Sequence, residues 1–120
     1  MELKSTTIER KVCEEHFASA MKSGSLNVLA TPQMIAWMEE AACMCLDLDQ
    51  GKTSVGTLMN VTHDKASPLN AVVTVTAEMI EVDGRKIKFR VLAMENGEII
   101  GQGYHERFIV DAQKFLSKIY

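Results

Sequence analysis

The sequence predicts an α+β fold in which one long helix packs against an antiparallel sheet of about five strands. A helical pattern over residues 31–49 is followed by four segments in which apolar and polar residues alternate. Asp-Gly and Asn-Gly pairs, which favour tight hairpin turns, separate the last three of these segments. A helix on one face of such a sheet buries the apolar sides of both layers. The 120 residues suit a single domain over 1–120.

The first thirty residues contain one predicted strand. Residues 4–12 mix β-branched and charged side chains, which is typical of a strand at the edge of a sheet. Residues 13–30 show no clear period, and Ser23-Gly24-Ser25 marks a loop within them. The sequence therefore predicts an edge strand followed by an irregular region.

The predicted helix begins at Thr31 and ends near residue 49, before Gln50-Gly51. Thr31 is a good N-cap, and Pro32 then occupies the first helical position, where its missing N–H costs nothing. Glu39 falls at the rim of the apolar arc rather than on the polar face. The arc itself is formed by Met34, Ile35, Trp37, Met38, Ala41, Ala42, Cys45, Leu46 and Leu48.

The four strands after the helix are predicted at 53–62, 71–82, 85–95 and 98–110. In the second of them, Val73, Val75, Ala77 and Met79 share one face. Because Asp83-Gly84 and Asn96-Gly97 match the twist of hairpin strands, residues 71–110 should form an antiparallel meander. Residues 111–120 are predicted as a short helix or a tail. A sheet face that the helix leaves uncovered would need a partner, so we expect a homodimer and leave larger assemblies open.

Composition excludes several classes of function. A net charge of −3 without a basic cluster argues against nucleic-acid binding, which needs a basic face. No run approaches the ~18 apolar residues of a membrane span, and the N-terminus lacks the apolar core of a signal peptide. Cys13, Cys43 and Cys45 lack zinc-site spacing and are interpreted as reduced thiols of a cytoplasmic protein. We therefore predict no metal, no membrane contact and no nucleic-acid partner.

Three side chains could form a hydrolytic site, because a carboxylate, an imidazole and a hydroxyl are its usual parts. Glu39 would be costly to place near an apolar face without a role, although it could also reach solvent or a lysine. His63 ends a predicted strand and suits proton transfer, although His16 and His105 could be argued for similarly. Thr31 lies where helix N–H groups could stabilise an anion, although capping alone explains it.

Several longer stretches resemble the fluoroacetyl-CoA thioesterase-like family of hotdog-fold proteins. The resemblance covers residues 27–119 and includes the eight positions from Thr31 to Glu39 and the seven from Gly56 to His63. It is carried by Leu29-Ala30-Thr31, Met38-Glu39-Glu40-Ala41-Ala42, Val55-Gly56-Thr57, Val61-Thr62-His63, Val73-Thr74-Val75-Thr76-Ala77-Glu78 and Gly103-Tyr104-His105-Glu106-Arg107. It implies a hotdog fold, in which the sheet wraps around the helix, and an acyl-CoA site at a dimer interface.

The resemblance also assigns roles to individual residues. It implies that Thr31, Glu39 and His63 are catalytic, with either Thr31 or Glu39 as nucleophile, and that the backbone at Gly56 approaches the acyl group. The CoA phosphates need cations at the rim of the site, and the candidates are Arg107, Arg85 and Lys86. No cofactor is expected beyond the CoA of the substrate itself.

One departure limits the substrate assignment. The family's fluoroacetyl-CoA specialist has an aromatic lid residue before the helix, whereas this chain has Ser23-Gly24-Ser25-Leu26-Asn27. We therefore predict hydrolysis of a small acyl thioester without assigning the acyl group, or choosing between CoA and a carrier protein as the thiol. The alternatives are a non-catalytic hotdog protein that binds acyl-CoA or another apolar ligand, a hydratase or dehydratase, and a structural dimer module.

Overall fold

One long helix packs against a five-stranded antiparallel sheet, so the predicted α+β fold class is confirmed. The computed structural model describes all 120 residues. The strands are β1 (Ser5–Lys11), β2 (Lys52–His63), β3 (Val72–Asp83), β4 (Lys86–Glu95) and β5 (Glu98–Asp111). The α-helices are α1 (Ala18–Met21), α2 (Thr31–Met44) and α3 (Ala112–Ser117), and a 3₁₀ turn covers Glu14–His16.

The strands are arranged in the order β1-β3-β4-β5-β2, so β1 and β2 are the edges. The predicted meander of β3, β4 and β5 is confirmed. Asn96 and Gly97 both have positive φ (51° and 73°), as the tightest hairpin turn requires. The β3–β4 turn comprises Gly84 and Arg85, one residue later than the Asp-Gly pair suggested.

The core lies between α2 and the inner face of the sheet. The four residues predicted to share a face of β3, from Val73 to Met79, are all at most 2% exposed. From α2, the chain contributes Met34, Trp37, Met38, Ala41 and Ala42 to the same cluster. The period-two pattern of β3 and the apolar arc of α2 therefore identified the two faces that pack together.

The end of α2 was predicted five residues too late, since the helix ends at Met44. The N–H groups of Cys45 and Leu46 each bond to a carbonyl three residues earlier, which tightens the last turn. Asp47 and Asp49 follow, and aspartate is unfavourable inside a helix because its side chain competes for the backbone. Leu46 and Leu48 had extended the apolar arc in the sequence beyond this point.

The start of α2 differs from the prediction by one residue. Ala30, rather than Thr31, has the extended backbone of an N-cap (φ −70°, ψ 139°), and Thr31 is the first helical residue. The Ala30 carbonyl accepts from the N–H groups of Gln33 and Met34, which closes the first turn without a side-chain cap. The Thr31 hydroxyl is therefore not used for capping.

The remaining segments carry short helices. The irregular region 13–30 contains the 3₁₀ turn and α1. Of the short helix or tail predicted for residues 111–120, the structure shows a short helix, α3. Asp111 caps α3 by accepting a hydrogen bond from the Lys114 N–H at 3.0 Å. None of the helices is long and apolar enough to cross a membrane.

Candidate active site

A hydroxyl and an imidazole meet where α2 begins and β2 ends. Thr31 Oγ1 lies 2.7 Å from His63 Nδ1. Thr31 is exposed, and His63 is half-buried as the last residue of β2. The pair lines an open cavity of about 220 Å³ that also includes Ala18, Ser23, Val28, Leu29, Asp64, Lys65 and Ala66. Two of the three predicted catalytic residues are therefore in direct contact.

The surroundings of His63 keep its ring neutral near pH 7. Burial lowers the pKa of His63 below its ordinary value of 6.5, although the Asp64 carboxylate and the nearby Lys65 backbone oppose this shift. The Nε2 atom of His63 is buried without a hydrogen-bond partner. The side-chain contact of the ring is therefore the one between Nδ1 and the Thr31 hydroxyl. A neutral imidazole beside a hydroxyl is the arrangement that activates a nucleophile.

The third predicted residue, Glu39, belongs to a second cluster. Its Oε2 lies 3.3 Å from Arg107 NH1, and a Cβ atom added at Gly56 would lie only 2.8 Å from the same oxygen. A second cavity of about 230 Å³ is lined by Glu39, Gly56, Thr57, Leu58, Met59 and His105. Gly56 thus leaves room for the carboxylate, which any larger residue would displace.

Arg107 is buried rather than placed at a rim. It is 6% exposed, so its side chain faces the interior of the chain and not the surface where the CoA phosphates were expected. Its Nε donates to Ser54 Oγ at 2.8 Å, its NH2 donates to the Ser54 carbonyl at 3.1 Å, and its NH1 lies 3.2 Å from His105 Nε2. The guanidinium therefore connects β2, β5 and α2, and is not free for phosphate.

His105 is a functional candidate that the sequence raised only in passing. It is 1% exposed, its Nδ1 contacts the Leu58 carbonyl at 2.8 Å, and its ring stacks on Phe89 at a centroid distance of 5.8 Å. Burial lowers its pKa, and the Arg107 charge adds to this, while the Leu58 hydrogen bond and the nearby carboxylates of Glu39 and Glu106 oppose it. The period-two pattern of β5 could have identified this inward face, since His105 and Arg107 alternate with more exposed neighbours.

A β-bulge makes both clusters face the helix. The register of β2 shifts between Gly56 and Leu58, which leaves Thr57 as an extra residue. Gly56 and His63 are seven positions apart, an odd number, so without the bulge they would face opposite sides of the sheet. Instead, both lie against side chains of α2.

Within one chain, the two clusters remain separate. Thr31 and Glu39 are eight residues apart on α2, which corresponds to ~12 Å along the helix axis. His63 contacts Thr31, whereas Glu39 contacts Arg107. One chain therefore holds a hydroxyl–imidazole pair in one cavity and a carboxylate–guanidinium pair in the other.

The other two cations predicted for the rim, Arg85 and Lys86, lie towards the Lys52 end of β2, away from His63. Arg85 is exposed, with its guanidinium carbon 5.5 Å from the centre of the Phe108 ring, and Lys86 is the first residue of β4. No group of three or more His, Cys, Asp and Glu side chains is placed to hold a metal ion.

The sequence was compared with known families and structures. Residues 12–113 match the family model described as fluoroacetyl-CoA-specific thioesterase, FlK. The chain belongs to this family. A fluoroacetyl-CoA thioesterase from Streptantibioticus cattleyicolor is 42% identical over 94 residues, which cover 77% of this chain and 68% of the relative.

Solved structures of FlK share the same fold. A mutant of the fluoroacetyl-CoA-specific thioesterase FlK superposes with a TM-score of 0.93 and 32% identity over 99% of this chain and 95% of that one. A mutant in complex with fluoroacetate and CoA gives a TM-score of 0.86 and 33% identity over 93% of this chain and 96% of that one. The hotdog fold implied by the resemblance is therefore confirmed.

Proposed function

We propose that this protein is an acyl-CoA thioesterase that hydrolyses a small acyl thioester to the free acid and CoA. The observation that carries the proposal is the 2.7 Å contact between Thr31 Oγ1 and His63 Nδ1 in an open cavity, within a chain of the FlK family. A serine- or threonine-type hydrolase needs such a pair, because the hydroxyl becomes nucleophilic only when a base takes its proton.

The geometry favours Thr31 over Glu39 as the nucleophile. Thr31 Oγ1 would attack the thioester carbon while His63 Nδ1 accepts its proton. The C–S bond then breaks, His63 returns the proton to the departing thiolate, and an acyl ester remains on Thr31. Water hydrolyses this ester by the same proton transfers, which releases the acid and restores the hydroxyl.

Glu39 is proposed to act on the second half of the reaction. Its carboxylate faces the cavity beside Gly56, where it could orient the attacking water. Gly56 is proposed to bind the substrate, since a position without a side chain lets the acyl group approach the backbone. Arg107 would hold the Glu39 carboxylate and would not bind CoA. The exposed Arg85, together with Lys86, remains the candidate for binding the CoA phosphates.

A homodimer would bring the two clusters together. Strand β2 pairs only with β5, so its other edge presents free backbone groups over twelve residues, with no charge between Lys52 and His63. A long uncharged edge favours pairing with another strand, whereas the other edge, β1, is shorter and carries Glu9, Arg10 and Lys11. Two antiparallel β2 strands centred near Met59 would place His63 close to Gly56 of the partner subunit.

A thiol-release assay with a panel of short, long and aromatic acyl-CoAs tests the proposed function. We expect turnover of small acyl-CoAs by the native protein and loss of turnover in Thr31→Ala and His63→Ala. Binding of acyl-CoA in calorimetry without thiol release from any member of the panel would instead establish a non-catalytic binding protein.

The three free cysteines support a reducing cytoplasmic location for the reaction.

A further inference from the structure

We propose that His105 is a positioning residue that holds the Glu39 carboxylate in place through the guanidinium of Arg107. This inference rests on the proposed function, because it assigns Glu39 a role in hydrolysis. It concerns a side chain that is 1% exposed, forms part of the wall of the cavity beside Glu39 and contacts no substrate in the mechanism above.

The first step of the argument is the proton position on His105. Its Nδ1 lies 2.8 Å from the Leu58 carbonyl, and a carbonyl can only accept a hydrogen bond. Nδ1 must therefore carry the hydrogen, which leaves Nε2 of the neutral ring with a free lone pair. The 3.2 Å contact with Arg107 is then a hydrogen bond donated by NH1 to Nε2.

The second step concerns the geometry of Arg107. NH1 has two hydrogens, and it contacts two acceptors, His105 Nε2 at 3.2 Å and Glu39 Oε2 at 3.3 Å. Nε and NH2 are held by the hydroxyl and carbonyl of Ser54. A planar guanidinium held by Ser54 and His105 presents the second hydrogen of NH1 in one direction, so the carboxylate is oriented and not merely attracted.

The third step is the origin of this arrangement in β2. Leu58 follows the bulge at Thr57, and the same bulge turns Gly56 towards Glu39. Phe89 on β4 packs against the His105 ring from the sheet. The bulge thus supplies both the space for the carboxylate and the carbonyl that fixes the imidazole behind it.

Two matched variants of His105 distinguish positioning of Glu39 through Arg107 from a contact that only supports the bulge at Leu58. In His105→Gln, the amide oxygen can still accept from Arg107, whereas in His105→Asn the shorter amide can donate only to Leu58. We expect His105→Asn to lower kcat by about 10- to 100-fold with little change in KM, because a carboxylate displaced by ~1 Å reacts poorly. His105→Gln should recover most of this loss. Recovery by Asn instead of Gln would overturn the proposal.

A double-mutant comparison tests the path through Glu39. In a Glu39→Gln background, His105→Asn should cause no further loss of kcat, because the group that it positions has already been removed. In a Glu40→Gln background, which changes the neighbouring surface carboxylate, His105→Asn should keep its full effect. Equal losses in both backgrounds would show a general structural role and contradict the proposal.

A measurement on the native protein keeps this inference separate from the proposed function. Nitrogen NMR of the histidine side chains should show His105 with a protonated Nδ1 and an unprotonated Nε2 at pH 7. If the protein releases no thiol from any acyl-CoA, the proposed function fails, while this spectrum still decides the His105 arrangement. A spectrum with hydrogen on Nε2 at pH 7 would overturn the positioning role, whatever the activity.

Discussion

The hydroxyl of Thr31 and Nδ1 of His63, 2.7 Å apart, join the first residue of α2 to the last residue of β2. Neither side chain belongs to the apolar core, and the Thr31 hydroxyl does not cap the helix. The contact therefore contributes little that the fold requires. Chemistry and stability should be separable at this position by mutation.

Replacing Thr31 should affect activity without unfolding the protein. We expect Thr31→Ala to lower kcat by about 10²- to 10⁴-fold, while Thr31→Ser keeps the hydroxyl and much of the activity. Because Thr31 is exposed, the free energy of unfolding should change by less than about 0.5 kcal/mol. Thiol release and urea denaturation measure the two quantities. Full activity of Thr31→Ala would assign the nucleophile to another group.

The activity should decline on the acid side of neutrality. His63 accepts a proton only as the neutral ring, and burial lowers its pKa below 6.5. We therefore expect kcat/KM to be constant near pH 7–8 and to fall below pH 6.5 as the ring becomes protonated. A profile of kcat/KM against pH tests this. An acid limb centred above pH 7 would contradict the neutral state of His63.

Stability should decrease over the same range of pH. The folded pKa values of His63 and His105 are both lowered, so the unfolded chain binds more protons below pH 6.5. The free energy of unfolding should be highest above pH 6.5 and decline as the pH falls towards the lowered values. Urea denaturation at pH 7.5, 6.5 and 5.5 measures this. His105→Gln should decline less steeply than the native protein, and an equal slope would contradict the assignment.

Local pattern was sufficient for most of the fold but not for the contacts of the site. Alternation in 71–82 identified the buried face of β3, and Asn96-Gly97 identified a hairpin turn, because both depend on neighbouring residues. The Glu39–Arg107 ion pair joins positions 68 residues apart. It depends on strand register and on the bulge at Thr57, which no local pattern reveals.

Arg107 shows why an isolated residue type can mislead. Arg107 was a candidate for the CoA phosphates because these need cations at the rim, and arginine is seldom buried without partners. Here Ser54, His105 and Glu39 supply those partners from three other places in the chain. The resemblance grouped Thr31, Glu39 and His63 as candidates, whereas their division between two cavities became visible only in three dimensions.

Two glycines of similar crowding should respond differently to alanine. In Gly56→Ala, the new Cβ would lie 2.8 Å from Glu39 Oε2, the end of a flexible side chain that is 42% exposed and can move. We expect lower kcat with less than about 1 kcal/mol lost in stability. In Gly101→Ala, the Cβ would lie 2.5 Å from the Thr62 carbonyl, which is backbone, so about 1–3 kcal/mol should be lost.

Thermal unfolding and thiol release of both glycine variants test this contrast. Gly101→Ala should lose more stability than Gly56→Ala, because its new Cβ displaces the backbone of Thr62 and not the end of a side chain. If Gly56→Ala hydrolysed acyl-CoA at the native rate, the carboxylate position beside this glycine would not matter for the reaction.

Adjacent carboxylates on α2 offer a matched pair. Glu39→Gln should lower kcat by about 10²- to 10⁴-fold and cost about 1 kcal/mol, because buried Arg107 loses an anionic partner that is itself partly solvated. Glu40→Gln only removes a surface ion pair with Arg10 and should leave kcat unchanged. It should lower the free energy of unfolding by about 0–1 kcal/mol, the usual contribution of an exposed ion pair. Similar kcat values for the two variants would exclude Glu39 from the mechanism.

Mixing two inactive variants should restore activity if each site draws on both protomers of a dimer. A heterodimer of Thr31→Ala and Glu39→Gln would contain one site with both changes and one with neither. Because random mixing makes half of the dimers heterodimers, about one quarter of native activity should return. If Thr31 and Glu39 instead acted within one chain, every site would keep one change and no activity would return. Thiol release after unfolding and refolding the mixture, with each variant refolded alone as control, distinguishes the two arrangements.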